Sequence, residues 1–214
     1  MTQGKEVSTQ FGMGRKIEVT ADQVDLIKRT IFPKATDDEL KLYIFECIRR
    51  GVHPFDRKIF PVKRHDNATG EDKVTFQTSI DLFRSESEDT GAYAGMDEPA
   101  YGDEKKDGAL GYPEWAKVTV YKWITAPDGS IHRVAFTAMA RWKEFYPGEK
   151  LGFMWRGKPY LMLAKCAEAQ ARRMAFPQKL GGLYADEEMH HADAKVSGAI
   201  EADYTTTVKE KPAQ

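Results

Sequence analysis

Four neighbouring acids, Asp81, Glu86, Glu88 and Asp89, are of the type that a Mg²⁺-dependent nuclease uses. Two-metal phosphoryl chemistry needs carboxylates converging from separate elements. These four share one short predicted helix, where a solvated face accounts for them more simply. Zinc fits less well. His190 and His191 are adjacent, no Cys-x-x-Cys occurs, and His53 and His65 have no ligand partners in the pattern. Neither Ser79 nor Cys166 comes with a base and an orienting group, so nucleophilic catalysis has no support. There is also no G-x-x-x-x-G-K-S/T loop to cradle nucleotide phosphates. The residues therefore point away from an enzyme, and neither a catalytic group nor a metal site is assigned.

Cations are a better lead. Arg57, Lys58, Lys63 and Arg64 fall in one short stretch, and Arg156, Lys158, Lys165, Arg172, Arg173 and Lys179 face the single acid Glu168 between positions 151 and 185. Beyond that block the balance reverses, with Asp186, Glu187, Glu188, Asp193, Glu201, Asp203 and Glu210 against Lys195, Lys209 and Lys211. The formal net charge of −1 argues mildly against a polyanion binder, because phosphates are neutralised by Lys and Arg, but the average hides this asymmetry. A basic stretch beside an acidic one suits a polyanion site with its counterweight outside it. Scattered surface charge remains an equal reading of the same residues.

The elements that must position these cations follow from pattern. Thr20-Ala-Asp-Gln23 and Thr36-Asp-Asp-Glu39 are capping boxes. The first starts a helix with Val24, Ile27 and Ile31 on one face, stopped by Pro33. The second starts one with Leu40, Tyr43, Ile44, Cys47 and Ile48 at helical spacing, ending at Gly51. His53-Pro54 forces an extended turn, and strands are expected over 58–63 and 73–78 around the turn-rich Asp66-Asn-Ala-Thr-Gly70. Residues 80–90 read as a short helix and 102–111 as an exposed loop. Strands over 117–124 and 131–140 flank Pro127-Asp-Gly129 as a hairpin. Pro159 opens a long helix running to about Phe176, ahead of Pro177. On it Lys165 and Arg172, seven apart, share a face, Arg173 lies about 100° round from Arg172, and Glu168 can bridge Lys165 and Arg172.

The 214 residues, 41% hydrophobic and 30% charged, have an ordinary globular composition, enough for one sizeable domain with tails. No apolar stretch approaches a membrane span, and Cys47 and Cys166 suit reduced thiols of a cytoplasmic protein. The expected organisation is a flexible N-terminus over 1–18, a core over 19–191 and an acidic disordered tail over 192–214. Most of the large aromatics serve the core. Trp155, between Met154 and Arg156 in the basic block, is the candidate for stacking on a base.

Three blocks in order, Gly51…Pro54-Phe55…Ile59-Phe60, then Ile80-Asp-Leu-Phe-Arg84, then Pro159…Met162-Leu163…Lys165-Cys-Ala-Glu-Ala…Arg173…Ala175-Phe176…Gly182-Leu-Tyr184…Glu187, resemble the Bet/RecT-type (lambda Red-beta-like) phage recombination proteins. The resemblance runs from about Asp37 to Glu188. It implies an α+β fold, a short antiparallel sheet backed by helices in a single compact core that oligomerises into rings or helical filaments. It also implies ATP-independent annealing of single-stranded DNA, with strand and nascent duplex in a basic groove, in a bacterial host's cytoplasm. The matching phosphate contacts are Arg57, Lys58, Lys63, Arg64, Lys165 and Arg173; charge and proximity add Arg156, Lys158 and Arg172. No cofactor is expected beyond Mg²⁺ accompanying DNA, and the partners the resemblance implies are a phage exonuclease or a host single-strand binding protein. The alternative is a passive single-strand coat or an exonuclease-recruiting scaffold.

Overall fold

A computed structural model of the chain describes residues 17–66, 70–149 and 152–189. The expected flexible 1–18 segment (all but its last two residues), the tip of the Asp66–Gly70 turn, the His190-His191 pair and the 192–214 tail lie outside the described residues.

Both N-terminal helices start where the capping boxes place them. In α1 (Ala21–Thr30) and α2 (Asp37–Arg49) the Thr hydroxyl accepts the N3 backbone N–H, and the N3 side chain accepts the cap's own N–H. Ile27 of α1 and Leu40, Tyr43 and Cys47 of α2 point into the core, the faces that helical spacing dictates. Gly51, with φ +67°, ends α2 in the left-handed region open to glycine.

Tyr43 fixes these helices to the next element. Its hydroxyl donates to the Ile59 carbonyl at 3.1 Å, and its ring meets Phe32 and Phe76 at 6.3 and 6.1 Å. The chain passes through a 3₁₀ turn, Pro54–Asp56, into the antiparallel pair β1 (Ile59–Asp66) and β2 (Glu71–Thr78), followed by α3 (Ile80–Asp89).

The main sheet is centred on β7 (Trp115–Thr125), which pairs along its whole length with β8 (Ile131–Arg141). Short strands β3 (Tyr93–Met96) and β4 (Ala100–Tyr101) share its other edge. Alternation puts Ala116, Val118 and Val120 on one face, joined from β8 by Ala138 and Ala140. Helix α6 (Pro159–Ala175) lies on that face, and its Ala164, Ala167, Ala169, Ala171 and Ala175 permit a close approach. Since α3, Leu180 and Leu183 also pack in this core, α6 is buried on most sides. Trp142, from α4 (Trp142–Phe145), stacks on Tyr112 and Tyr146 at 4.6 and 4.7 Å and meets Trp155, from α5 (Phe153–Gly157), edge-on at 5.4 Å. A final turn, α7 (Pro177–Leu180), follows α6.

The fold is thus α+β with short antiparallel sheets, as expected. Residues 102–111, however, are not a loop. They carry most of a hairpin, β5 (Glu104–Asp107) against β6 (Leu110–Pro113), turning at Gly108 with φ +58°. Every residue of β5 is exposed, so apolar alternation, the signal for a strand, is missing. Among the described residues no helix is long and apolar enough to cross a membrane.

Candidate nucleic-acid interface

Two basic blocks far apart in sequence meet at Thr78 and Ser79. The Ser79 N–H donates to the Lys58 carbonyl at 2.9 Å. On the opposite side, Thr78 gives its N–H (3.4 Å) and hydroxyl (2.8 Å) to the Tyr184 carbonyl and forms a parallel bridge with Ala185. The Arg57–Lys58 corner and the 184–188 segment therefore flank one strand end, two strand spacings or roughly 10 Å apart.

At the corner, Arg57 takes left-handed backbone angles, φ 54° and ψ 35°, which cost a non-glycine residue on the order of 1–2 kcal/mol. The turn leaves its side chain exposed, without an ion pair among the described residues. Lys58 reaches Ser85 Oγ on α3 at 3.0 Å. Lys63 sits five residues, roughly 17 Å, further along the strand and pairs with Glu39 at 3.0 Å, away from the corner. Arg64 belongs to β1, but its side chain lies outside the described residues.

On α6 the cations are held by carboxylates. Lys165 pairs with Glu187 at 2.7 Å. Arg173 donates to both oxygens of Glu188, at 2.7 and 3.0 Å, and to the Leu183 carbonyl at 2.7 Å. Burial pushes the Arg173 guanidinium toward neutrality, but the Glu188 carboxylate outweighs it and holds the group charged. The Arg173 guanidinium also lies over the Tyr184 ring, 4.9 Å from its centroid, and Tyr184 is 53% exposed.

A sequence profile of the RecT family matches residues 18–201, most of the chain. The chain belongs to the RecT family. Comparison with curated proteins and with solved structures returned no match. RecT proteins act in phage recombination by DNA binding and single-strand annealing and assemble into oligomers, so the cation pattern of this RecT chain bears on polyanion binding.

Several expectations for the RecT chain need correction. Trp155 is fully buried against Trp142 and cannot stack on a base in this conformation. An alternating or helical pattern does not reveal that a tryptophan between a methionine and an arginine faces inward. Arg172 is 3% exposed and binds Glu168 at 2.8 Å, which removes it from any surface groove. Glu168 does not bridge Lys165; its second partner is Arg84 of α3, which donates Nε and a terminal nitrogen at 2.9 and 2.8 Å. Burial raises the Glu168 carboxyl, but hydrogen bonds from Arg84 and the charges of Arg172 and Arg84 outweigh it and hold the group below the usual range. Arg156, on α5, and Lys158, at the N-cap of α6, are exposed, and Lys158 lies roughly 20 Å along the α6 axis from Arg173.

Sequence reading missed Arg84 and Tyr184 as site residues, although both lie in the blocks that carried the family resemblance. The acids of α3 form no metal cage: Asp81 pairs with Arg84 at 3.1 Å and Glu86 faces Lys179 at 3.7 Å. Among the described residues no group of three His, Cys, Asp or Glu is placed to hold an ion. Burial raises both thiols, Cys47 to about 12, leaving them protonated at neutral pH.

Proposed function

We propose that this protein binds single-stranded DNA along a track running from the Arg57–Lys58 corner over Tyr184 to Arg173 and Lys165, and anneals it to its complement without ATP. The observation that supports the reading is the convergence of the Lys58 and Tyr184 carbonyls on Thr78 and Ser79, which brings the two basic blocks to one strand end. Phosphates take the cations by counterion release, and Tyr184 supplies the aromatic face first sought at Trp155. Arg64, Lys63, Arg156 and Lys158 extend the track toward neighbouring protomers of a ring or helical filament. Base stacking in the product, ~1.4 kcal/mol per step, drives pairing without nucleotide hydrolysis. Protein contacts fall on phosphate and sugar, so sequence choice rests with the DNA. Mg²⁺ enters only as a counterion of DNA. The reaction takes place in the cytoplasm of a phage-carrying bacterium, with an exonuclease or host single-strand binding protein supplying strands.

A second reading is favoured by one observation. Lys165 and Arg173 are already neutralised by Glu187 and Glu188, as expected of a protein-binding scaffold or passive coat. Complementary fluorescent oligonucleotides added in succession without ATP separate the two. Faster duplex formation supports annealing, and slower formation supports the coat. Affinity should also fall steeply between low and physiological salt; a flat response overturns the DNA track.

A further inference from the structure

The odd-numbered face of the β7–β8 pair has no part in the track. Its even-numbered neighbours Ala116, Val118 and Val120 are buried under α6. On the odd face Lys117, Trp123, Arg133 and Arg141 are exposed, Trp123 to 46%. Register sets Trp123 directly opposite Arg133, and Lys117 lies six residues, roughly 20 Å, along the same strand. Arg133 is fixed in place, its guanidinium 3.4 Å from the Tyr121 ring centroid and its Nε donating to the Ala94 carbonyl at 3.1 Å. Marginal acids are engaged: Asp97 accepts the Tyr121 hydroxyl at 2.8 Å, and Glu144 stands 4.0 Å from Arg141.

We infer that this outer sheet face is a second binding surface for single-stranded DNA, holding the incoming complementary strand. The inference rests on the annealing function proposed above. Three cations spaced along a strand pair match a phosphate backbone, and an exposed indole offers a stacking face indifferent to base identity. A second copy of the chain is a poorer occupant. Cores of protein interfaces are depleted in charge, whereas this face carries Lys117 and Arg133 one pair in from its two ends, with the hydrogen-bonded Thr119–Thr137 pair between them. Because α6 separates this face from the Arg173 track, one protomer has room for a strand on each side.

The experiment uses full-length protein, a dT oligomer and a complementary oligonucleotide pair. Trp142 and Trp155 are buried and the partly buried Trp115 is common to both proteins, so dT should quench emission from the wild type more than from Trp123→Phe. Trp123→Ala and Arg133→Ala should leave binding of the first strand within about twofold and slow pairing with the second by about fivefold or more, the lower end for one stacking contact. Trp123→Phe should restore the rate. Lys117→Glu with Arg141→Glu, exposed positions with little to lose in folding, should slow the same step. Equal quenching in both proteins, or unchanged pairing rates in all variants, overturns the inference and leaves the track intact. A change of oligomer size in sedimentation with Trp123→Ala also overturns it, making the face a contact between copies. Wild-type protein that neither binds dT nor anneals would instead defeat the annealing reading itself.

Discussion

The Arg57–Lys58 corner and the α6 basic block carry the same charge but are at different stages of readiness. Arg57 stands exposed on a strained turn, whereas Lys165 and Arg173 each hold a carboxylate of the 187–188 segment. A phosphate arriving at the corner replaces water. One arriving at α6 must replace Glu187 or Glu188, and gains only the difference between two ion pairs. Density of cations in sequence is therefore a poor measure of affinity; what a cation already holds matters as much. On this view the corner captures a strand and α6 determines how firmly it is kept.

The sharpest contrast is between adjacent residues of α6. Arg172 is part of the Arg84–Glu168–Arg172 cluster, in which Glu168 and Arg172 are buried and Arg84 is half-exposed, and removing Glu168 strands the Arg172 charge in the interior. Glu168→Ala should cost about 3–5 kcal/mol in denaturant unfolding, the largest effect expected; a loss of under about 1 kcal/mol, the value of a surface pair, would put the cluster at the surface. Arg173→Ala should weaken strand binding and lower the salt slope by about one ion. An unchanged slope would confine Arg173 to its Glu188 pair. Arg57→Gly separates binding from folding: affinity should fall while stability rises by up to about 1 kcal/mol as the left-handed turn is relieved. A stability loss would show that the Arg57 side chain supports the fold.

Acid provides a gentler probe. The folded Glu168 carboxyl lies below its usual value near 4.5, so its contribution to stability is complete above that value and disappears as pH falls through the lower, folded one. Unfolding free energy should therefore hold from neutrality to about pH 5 and then decline, and Glu168→Gln should flatten the decline. Lys63→Ala should give the smallest effect, under about 1 kcal/mol from an exposed pair, with little change at the corner.

Where the sequence was legible, a local rule applied. Thr20 with Gln23 and Thr36 with Glu39 announce helix starts because both partners of each box sit within one turn, and Pro127-Asp-Gly129 announces the β7–β8 hairpin. The cations of the candidate site were visible as residue types. Their partners were not, because Arg84 reaches Glu168 across 84 positions and Lys165 reaches Glu187 across 22. Helical geometry separates Arg172 from Arg173 by about 100°, but only the packing of α3 and the sheet decides which of the two is buried. β5 was missed because a strand exposed at every position has no apolar period to read.

The hydrogen bond from Thr78 to Tyr184 spans 106 positions. Contacts so remote in sequence close only after the intervening chain has collapsed, since loop closure must be compensated by packing. A chain cut after residue 174 would therefore keep Arg57, Lys58, Lys165 and Arg173, but would lose both the Tyr184 bond that ties the two basic blocks to one strand end and the Glu187 and Glu188 carboxylates that neutralise α6.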